Sequence, residues 1–168
     1  MDELSRLNDR PAAEAAALLL RCCGSSRWAE ALAQRRPFAD PASLYAAADA
    51  VWWDLEPADW REAFAHHPRI GERDLGARFA STAQWAEGEQ AGARGAPEEL
   101  LAALAEANQA YEERFSYVFI VCATGKSATE MLALLLERLA HLPVDEIRIA
   151  AGEQAKITRL RLEKLLGP

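Results

Sequence analysis

Apolar positions along this chain recur at helical spacing, and proline, glycine and small polar residues divide them into separate helices. Pro11 at a first turn and Gly24 just past an end bracket a helix whose buried stripe contains Leu18, Leu19 and Cys22. Ser25 or Ser26 caps a second helix over Trp28 to Arg35, and Pro37 halts it. Asp40-Pro41 opens a third that runs to about Leu55, with Leu44, Ala48, Val51, Trp52 and Leu55 facing the core. Glu56-Pro57 starts a fourth that turns Trp60 and Phe64 inward and delivers His67 at its end. Pro68 supplies the stop, because a proline disfavours the α region for the residue before it.

From His67 to Gly76 the periodicity lapses and the sequence turns polar, which predicts a loop. A helical pattern resumes over Ala77 to Ala93, where Gly88 and Gly92 beside Glu87 and Glu89 predict either a frayed helix or a close ligand approach. After Gly95-Ala96-Pro97, an amphipathic helix from Glu98 to about Ser116 places Leu101, Leu104, Ala105, Asn108 and Tyr111 on one face. Tyr117 to Cys122 is apolar and β-branched but too short and solitary for a sheet, so it predicts a buried extended connector or a helical turn. Ser127 and Glu130 form a capping-box pattern ahead of a helix through Leu142. Pro143 then separates it from a last helix, Val144 to Leu166, with Ile147, Ala151, Ile157, Leu160 and Leu165 as apolar members. The expected fold is all-α: one domain over residues 1–168, of about eight helices and no sheet.

Composition narrows the function. A chain of 168 residues suits one domain that buries about 70% of its unfolded surface. The formal net charge of −7 argues against nucleic acid, whose phosphates demand a basic face. Nor is there an apolar run of the roughly 18 residues needed to enter a bilayer. Met1 to Arg10 lacks an apolar signal core and the chain closes on Leu166-Gly167-Pro168, so the expected location is cytoplasmic. Cys22 and Cys23 are adjacent and Cys122 lies in an apolar run, which gives no disulfide framework. Metal-ligand spacing is also missing, with no C-x-x-C or H-E-x-x-H.

Candidate chemistry centres on His66-His67-Pro68-Arg69-Ile70-Gly71-Glu72. A histidine at a rigid helix-to-loop corner titrates near neutral pH and points in a fixed direction, as proton transfer requires, although two histidines before a proline are also an ordinary helix end. Gly125-Lys126-Ser127 has the ending of a phosphate-binding loop, but Ile120 stands where that motif needs its first glycine, which leaves only a helix N-terminus able to receive an anion. Cys122 paired with a histidine would suit a cysteine hydrolase, yet a thiol in an apolar run makes a poor thiolate. Arg161 lies between two leucines on the last helix, where a partly buried guanidinium is plausible.

These segments acquire a shared meaning through a resemblance over nearly the entire length. Arg27-Trp28-Ala29-Glu30, Arg36-Pro37-Phe38, Asp59-Trp60, Glu62-Ala63-Phe64, His67 to Glu72, Glu89-Gln90, Phe119 to Ser127, Lys156-Ile157 and Leu160-Arg161-Leu162 resemble the OHCU decarboxylases in order and spacing. That family acts on 2-oxo-4-hydroxy-4-carboxy-5-ureidoimidazoline, between urate and allantoin. The resemblance implies an all-helical, cofactor-free and commonly dimeric enzyme. It implies catalytic roles for His67, Glu89 and Arg161, and substrate contacts from Pro68, Glu87, Gly88, Gln90 and the stretch Phe119, Ile120, Val121, Cys122 and Ala123. Ala86 stands where relatives often carry a polar residue, so it adds no side-chain contact. A helical small-molecule-binding module without turnover is the rival reading.

The reaction makes sense of these residue types. Loss of CO2 leaves an electron pair that the imidazoline nitrogen and carbonyl of the substrate can delocalise, so no metal or pyridoxal sink is required. The protein must supply orientation, charge stabilisation and one proton on one face.

Overall fold

The computed structural model describes residues 1–71 and 83–168, residues 83 and 84 by backbone alone, and among them are nine α-helices and one short 3-10 turn. The helices are α1 (Glu3–Asp9), α2 (Ala12–Cys22), α3 (Ser26–Gln34), α4 (Pro41–Trp53), α5 (Pro57–Phe64), α6 (Ala83–Glu89), α7 (Glu98–Phe115), α8 (Ala128–Arg138) and α9 (Pro143–Leu166), and the 3-10 turn is Ala91–Ala93. The all-α expectation holds. Glu72, Gly76 and the anticipated helix start at Ala77 lie outside the described residues, and the later part of that expected helix is α6. No helix among the described residues is long and apolar enough to cross a membrane.

Contacts divide the chain into two compact units, residues 1–63 with 154–168 and residues 64–153. In the first, α2 packs on α3 and α3 on α4. Its core holds Leu19, Trp28, Leu32, Leu44, Trp52, Trp60 and Leu162, all buried. Indole N–H groups stay satisfied there: Trp28 Nε1 donates to the Ala48 carbonyl at 3.1 Å and Trp60 Nε1 to the Trp52 carbonyl at 3.0 Å. In the second unit α7 packs on α8 around an aromatic cluster. Tyr111 lies 4.6 Å from Phe115 and 5.3 Å from Phe119 between ring centroids, and Phe64 lies 5.1 Å from Tyr117.

Caps set most boundaries where the sequence places them. Ser25 accepts from Trp28 N, and both halves of the Ser127–Glu130 capping box form. Three boundaries differ from expectation. Helix α1 has a single buried apolar residue, Leu7, so periodicity cannot reveal it; Asp2 caps it by accepting from Ser5 N at 2.7 Å. Helix α5 stops at Phe64, and a tighter turn, His67 N–H to the Phe64 carbonyl at 3.1 Å, carries the chain to the corner. Helix α8 ends at Arg138, not Leu142, because Leu142 precedes Pro143 and its carbonyl already receives the Asp145 and Glu146 amides of α9 at 3.0 and 2.9 Å.

Some expected core members also move. Ala105 is exposed while Ala107 is buried, and Leu55, Leu101, Ile147, Leu160 and Leu165 are half-buried. Along α9 the buried positions include Glu146, Gln154, Thr158 and Arg161 beside Ala150, Ala151, Ile157 and Leu162. This polar content is what an apolar-periodicity argument overlooks.

Candidate active site

The two histidines of the corner separate by environment. His66 is exposed, whereas His67 is only 8% exposed and Pro68 is also buried. An imidazole withdrawn from water has a defined orientation and a reduced dielectric around it, both of which favour a working proton carrier. The loop beyond the corner is fastened by side chains from two directions. Arg69 forms a two-pronged pair with Glu112 of α7, at 2.7 and 2.9 Å. Asn108 Nδ2 donates to the Ile70 carbonyl at 3.3 Å, and Gly71 N–H donates to Gln90 Oε1 at 3.0 Å. Gly71 has φ +85°, a left-handed conformation that a side chain would strain.

The Gly71–Gln90 hydrogen bond joins the histidine corner to the end of α6, where Glu89 is buried and Glu87 and Gly88 are exposed. The side-chain oxygen of Gln90 thus holds loop backbone. Two residues further on, the 3-10 turn meets the segment before α8. A Cβ placed on Gly92 would lie 1.8 Å from the Lys126 carbonyl oxygen, so the two backbones touch. What crowds Gly92 is therefore the chain's own backbone and not a ligand, and nothing lies within 4 Å of a Cβ on Gly88.

The third component is Phe119 to Ala123, buried throughout and neither helix nor strand. An extended segment without a ladder must find partners for its amides and carbonyls elsewhere. Arg138 Nη1 donates to the Ile120 carbonyl, Cys122 N–H donates to Glu153 Oε1 at 3.2 Å and Lys126 Nζ donates to the Cys122 carbonyl at 2.8 Å. A turn then closes with Lys126 N–H on the Ala123 carbonyl at 3.0 Å, and Gly125 supplies its left-handed residue at φ +80°. Both features that suggested an anion site at Gly125-Lys126-Ser127 are engaged within the chain. The lysine is spent on its own backbone, and the capping box occupies the start of α8, with Glu130 N donating to Ser127 Oγ at 3.1 Å.

His67, Pro68, Glu87, Gly88, Glu89, Gln90 and Phe119 to Ala123 thus all fall in the second unit, where Gly71–Gln90 and Gly92–Lys126 stitch corner, turn and extended run together. Arg161 belongs to the first unit. Its guanidinium is buried, 3% exposed, and Nη1 lies 3.4 Å from the Arg21 carbonyl. The open groove of about 450 Å³ in that unit, lined by residues such as Asp49, Trp53 and Lys156, contains none of the candidate residues. Asn108 was placed on the inner face of its helix by periodicity, but its hold on Ile70 was not. Glu112, Arg138 and Glu146 carried no signal, because surface and buried charges look alike in sequence.

Cys22 and Cys23 lie in the first unit, and burial pushes each thiol up to about 12. At pH 8 a thiol of that pKa is thiolate in about one molecule in 10⁴, so neither should be alkylated in the native protein. Peptide mapping after iodoacetamide treatment checks this, and both should label fully once the protein is unfolded.

The sequence model of the OHCU decarboxylase family matches residues 8–163. The chain is 38% identical to the uric acid degradation bifunctional protein TTL of Arabidopsis thaliana over 145 residues, covering 86% of this chain and 45% of that longer protein. It is 31% identical to the 2-oxo-4-hydroxy-4-carboxy-5-ureidoimidazoline decarboxylase of Amia calva over 131 residues, 78% of this chain and 75% of the relative. It also superposes on a crystal structure of OHCU decarboxylase in the presence of (S)-allantoin, with TM-score 0.77 and 35% identity over 89% of this chain and 96% of that one. The matched span takes in the histidine corner, the acidic turn and the extended run alike, and on that ground the chain belongs to the OHCU decarboxylase family.

Proposed function

We propose that residues 1–168 act as one OHCU decarboxylase domain, converting 2-oxo-4-hydroxy-4-carboxy-5-ureidoimidazoline to (S)-allantoin and CO2 in urate breakdown. The observation that carries this reading is the buried His67-Pro68 corner, fastened through Gly71 to the Glu89-Gln90 turn, in a chain of this family. His67 is the general acid that delivers the proton, or the group that orients the departing carboxylate. Glu89 holds the hydroxyl or ureido N–H groups, Arg161 pairs with an anionic oxygen, and Pro68, Gln90 and Phe119 to Ala123 complete the substrate contacts, the extended run through its backbone. Delivery of the proton to one face yields one enantiomer. The substrate's own nitrogen and carbonyl take the electron pair, so the reaction calls for no cofactor.

The test is to generate the intermediate freshly from urate with the preceding enzymes and to follow CO2 release and the optical rotation of the allantoin. Accelerated CO2 release with allantoin of a single optical sense supports the reading; binding without turnover favours a non-catalytic module. Hydrogen bonds to charged groups are worth about 1.5–3 kcal/mol, so Glu89→Gln and Arg161→Gln should each lower kcat/KM about 10- to 100-fold. A folded variant within threefold of wild type removes that residue from the site. We propose in addition that the enzyme is a cytoplasmic homodimer, the dimer being the family's common state; sedimentation velocity checks the dimer.

A further inference from the structure

The second unit buries an ion pair in its aromatic core. Glu146 is fully buried and accepts from Arg138 Nε at 2.6 Å, from Tyr111 Oη at 2.7 Å and at 2.9 Å from His141 Nδ1. Burial raises the Tyr111 pKa far beyond the working range, which keeps its hydroxyl a donor. Such a pair is weak support for stability, since apolar replacements of similar volume often fold as well or better. A duty other than stability therefore accounts for it better.

That duty is visible in where the other face of the guanidinium goes. Arg138 Nη1 donates to the Ile120 carbonyl, and the guanidinium carbon sits 4.5 Å from the centroid of the Phe119 ring. One planar group therefore fixes two consecutive residues of the extended run, one by its carbonyl and one by its ring, while Glu146 fixes the guanidinium. We propose that Arg138, held by Glu146, is a positioning residue that sets the backbone of Phe119 to Ala123 for substrate. This rests on the decarboxylase reading only in what the backbone binds. Arg138 does not itself touch the reacting atoms.

The experiment pairs Arg138→Met with Glu146→Gln, which removes both charges together and leaves Tyr111 and His141 an acceptor. The double variant should keep its helicity while amide hydrogen exchange over residues 117–124 rises at least tenfold, with α7 and α8 unchanged. Steady-state kinetics should show KM raised at least tenfold with kcat within threefold, a split that general loosening of the fold does not produce. Wild-type exchange over 117–124, or KM within twofold, overturns the proposal. If the double variant fails to fold, Arg138→Lys decides by the same two measures, because lysine keeps the buried cation but lacks the planar fork that spans Glu146 and Ile120 at once. Wild-type protein that releases no CO2 sinks the decarboxylase reading alone, and the exchange measurement then decides whether Arg138 fixes this backbone.

Discussion

Replacing His67 with alanine should lower kcat about 10²- to 10⁴-fold, the usual worth of a positioned general acid, in a protein that still folds. Pro68 sets the bend, and the Arg69–Glu112, Asn108–Ile70 and Gly71–Gln90 bonds hold the loop beyond it, so the corner keeps these fasteners in the variant. The residual allantoin should also lose its optical purity as protonation from solvent on either face takes over. His66→Ala is the matched control, an exposed neighbour whose loss should leave kcat within twofold. Activity within tenfold of wild type in folded His67→Ala protein would falsify the assignment of the proton to this residue.

Gly92→Ala should be the most damaging single methyl in the second unit. Its Cβ would lie 1.8 Å from the carbonyl oxygen of Lys126 and 2.8 Å from the carbonyl carbon, and both are backbone atoms that no rotamer change can withdraw. Overpacking of this kind costs about 1–3 kcal/mol, and in a domain of this size each kcal/mol lowers Tm by roughly 2–4 °C. The turn bearing Glu89 and Gln90 must then part from the segment before α8, and a misplacement of about 1 Å in a catalytic constellation can cost 10²-fold in rate. A thermal melt and kcat/KM on one preparation check both. Gly88→Ala separates collision from helix propensity. That glycine has nothing within 4 Å of its Cβ position, and alanine should raise Tm or leave it unchanged. A Gly92→Ala protein that melts with wild type would show that the segment before α8 yields to the methyl at no cost.

Local grammar explains what could be read in advance. Ser25, Asp40-Pro41 and Ser127 with Glu130 act through neighbours three residues away, so the helices they start were visible from sequence. His67 was separable from His66 because Pro68 constrains only the residue before it, and burial follows the same division. The extended run was legible as an apolar stretch that could form no sheet. The fasteners were not legible: Arg138 reaches Ile120 across 18 positions, Gln90 reaches Gly71 across 19 and Asn108 reaches Ile70 across 38. Nothing in the hydropathy of Arg138 or Glu146 distinguishes a buried pair from a solvated helix face. Helix α1 escaped notice for the opposite reason, since a lone buried Leu7 makes no period.

Tyr117 to Cys122 is six uncharged residues rich in β-branched and aromatic types, without proline or glycine, the composition from which cross-β fibrils nucleate. In the native protein side-chain clamps and burial keep that hexapeptide away from copies of itself. Variants that release it should therefore fail by depositing as insoluble protein during expression, and the isolated peptide should bind thioflavin T.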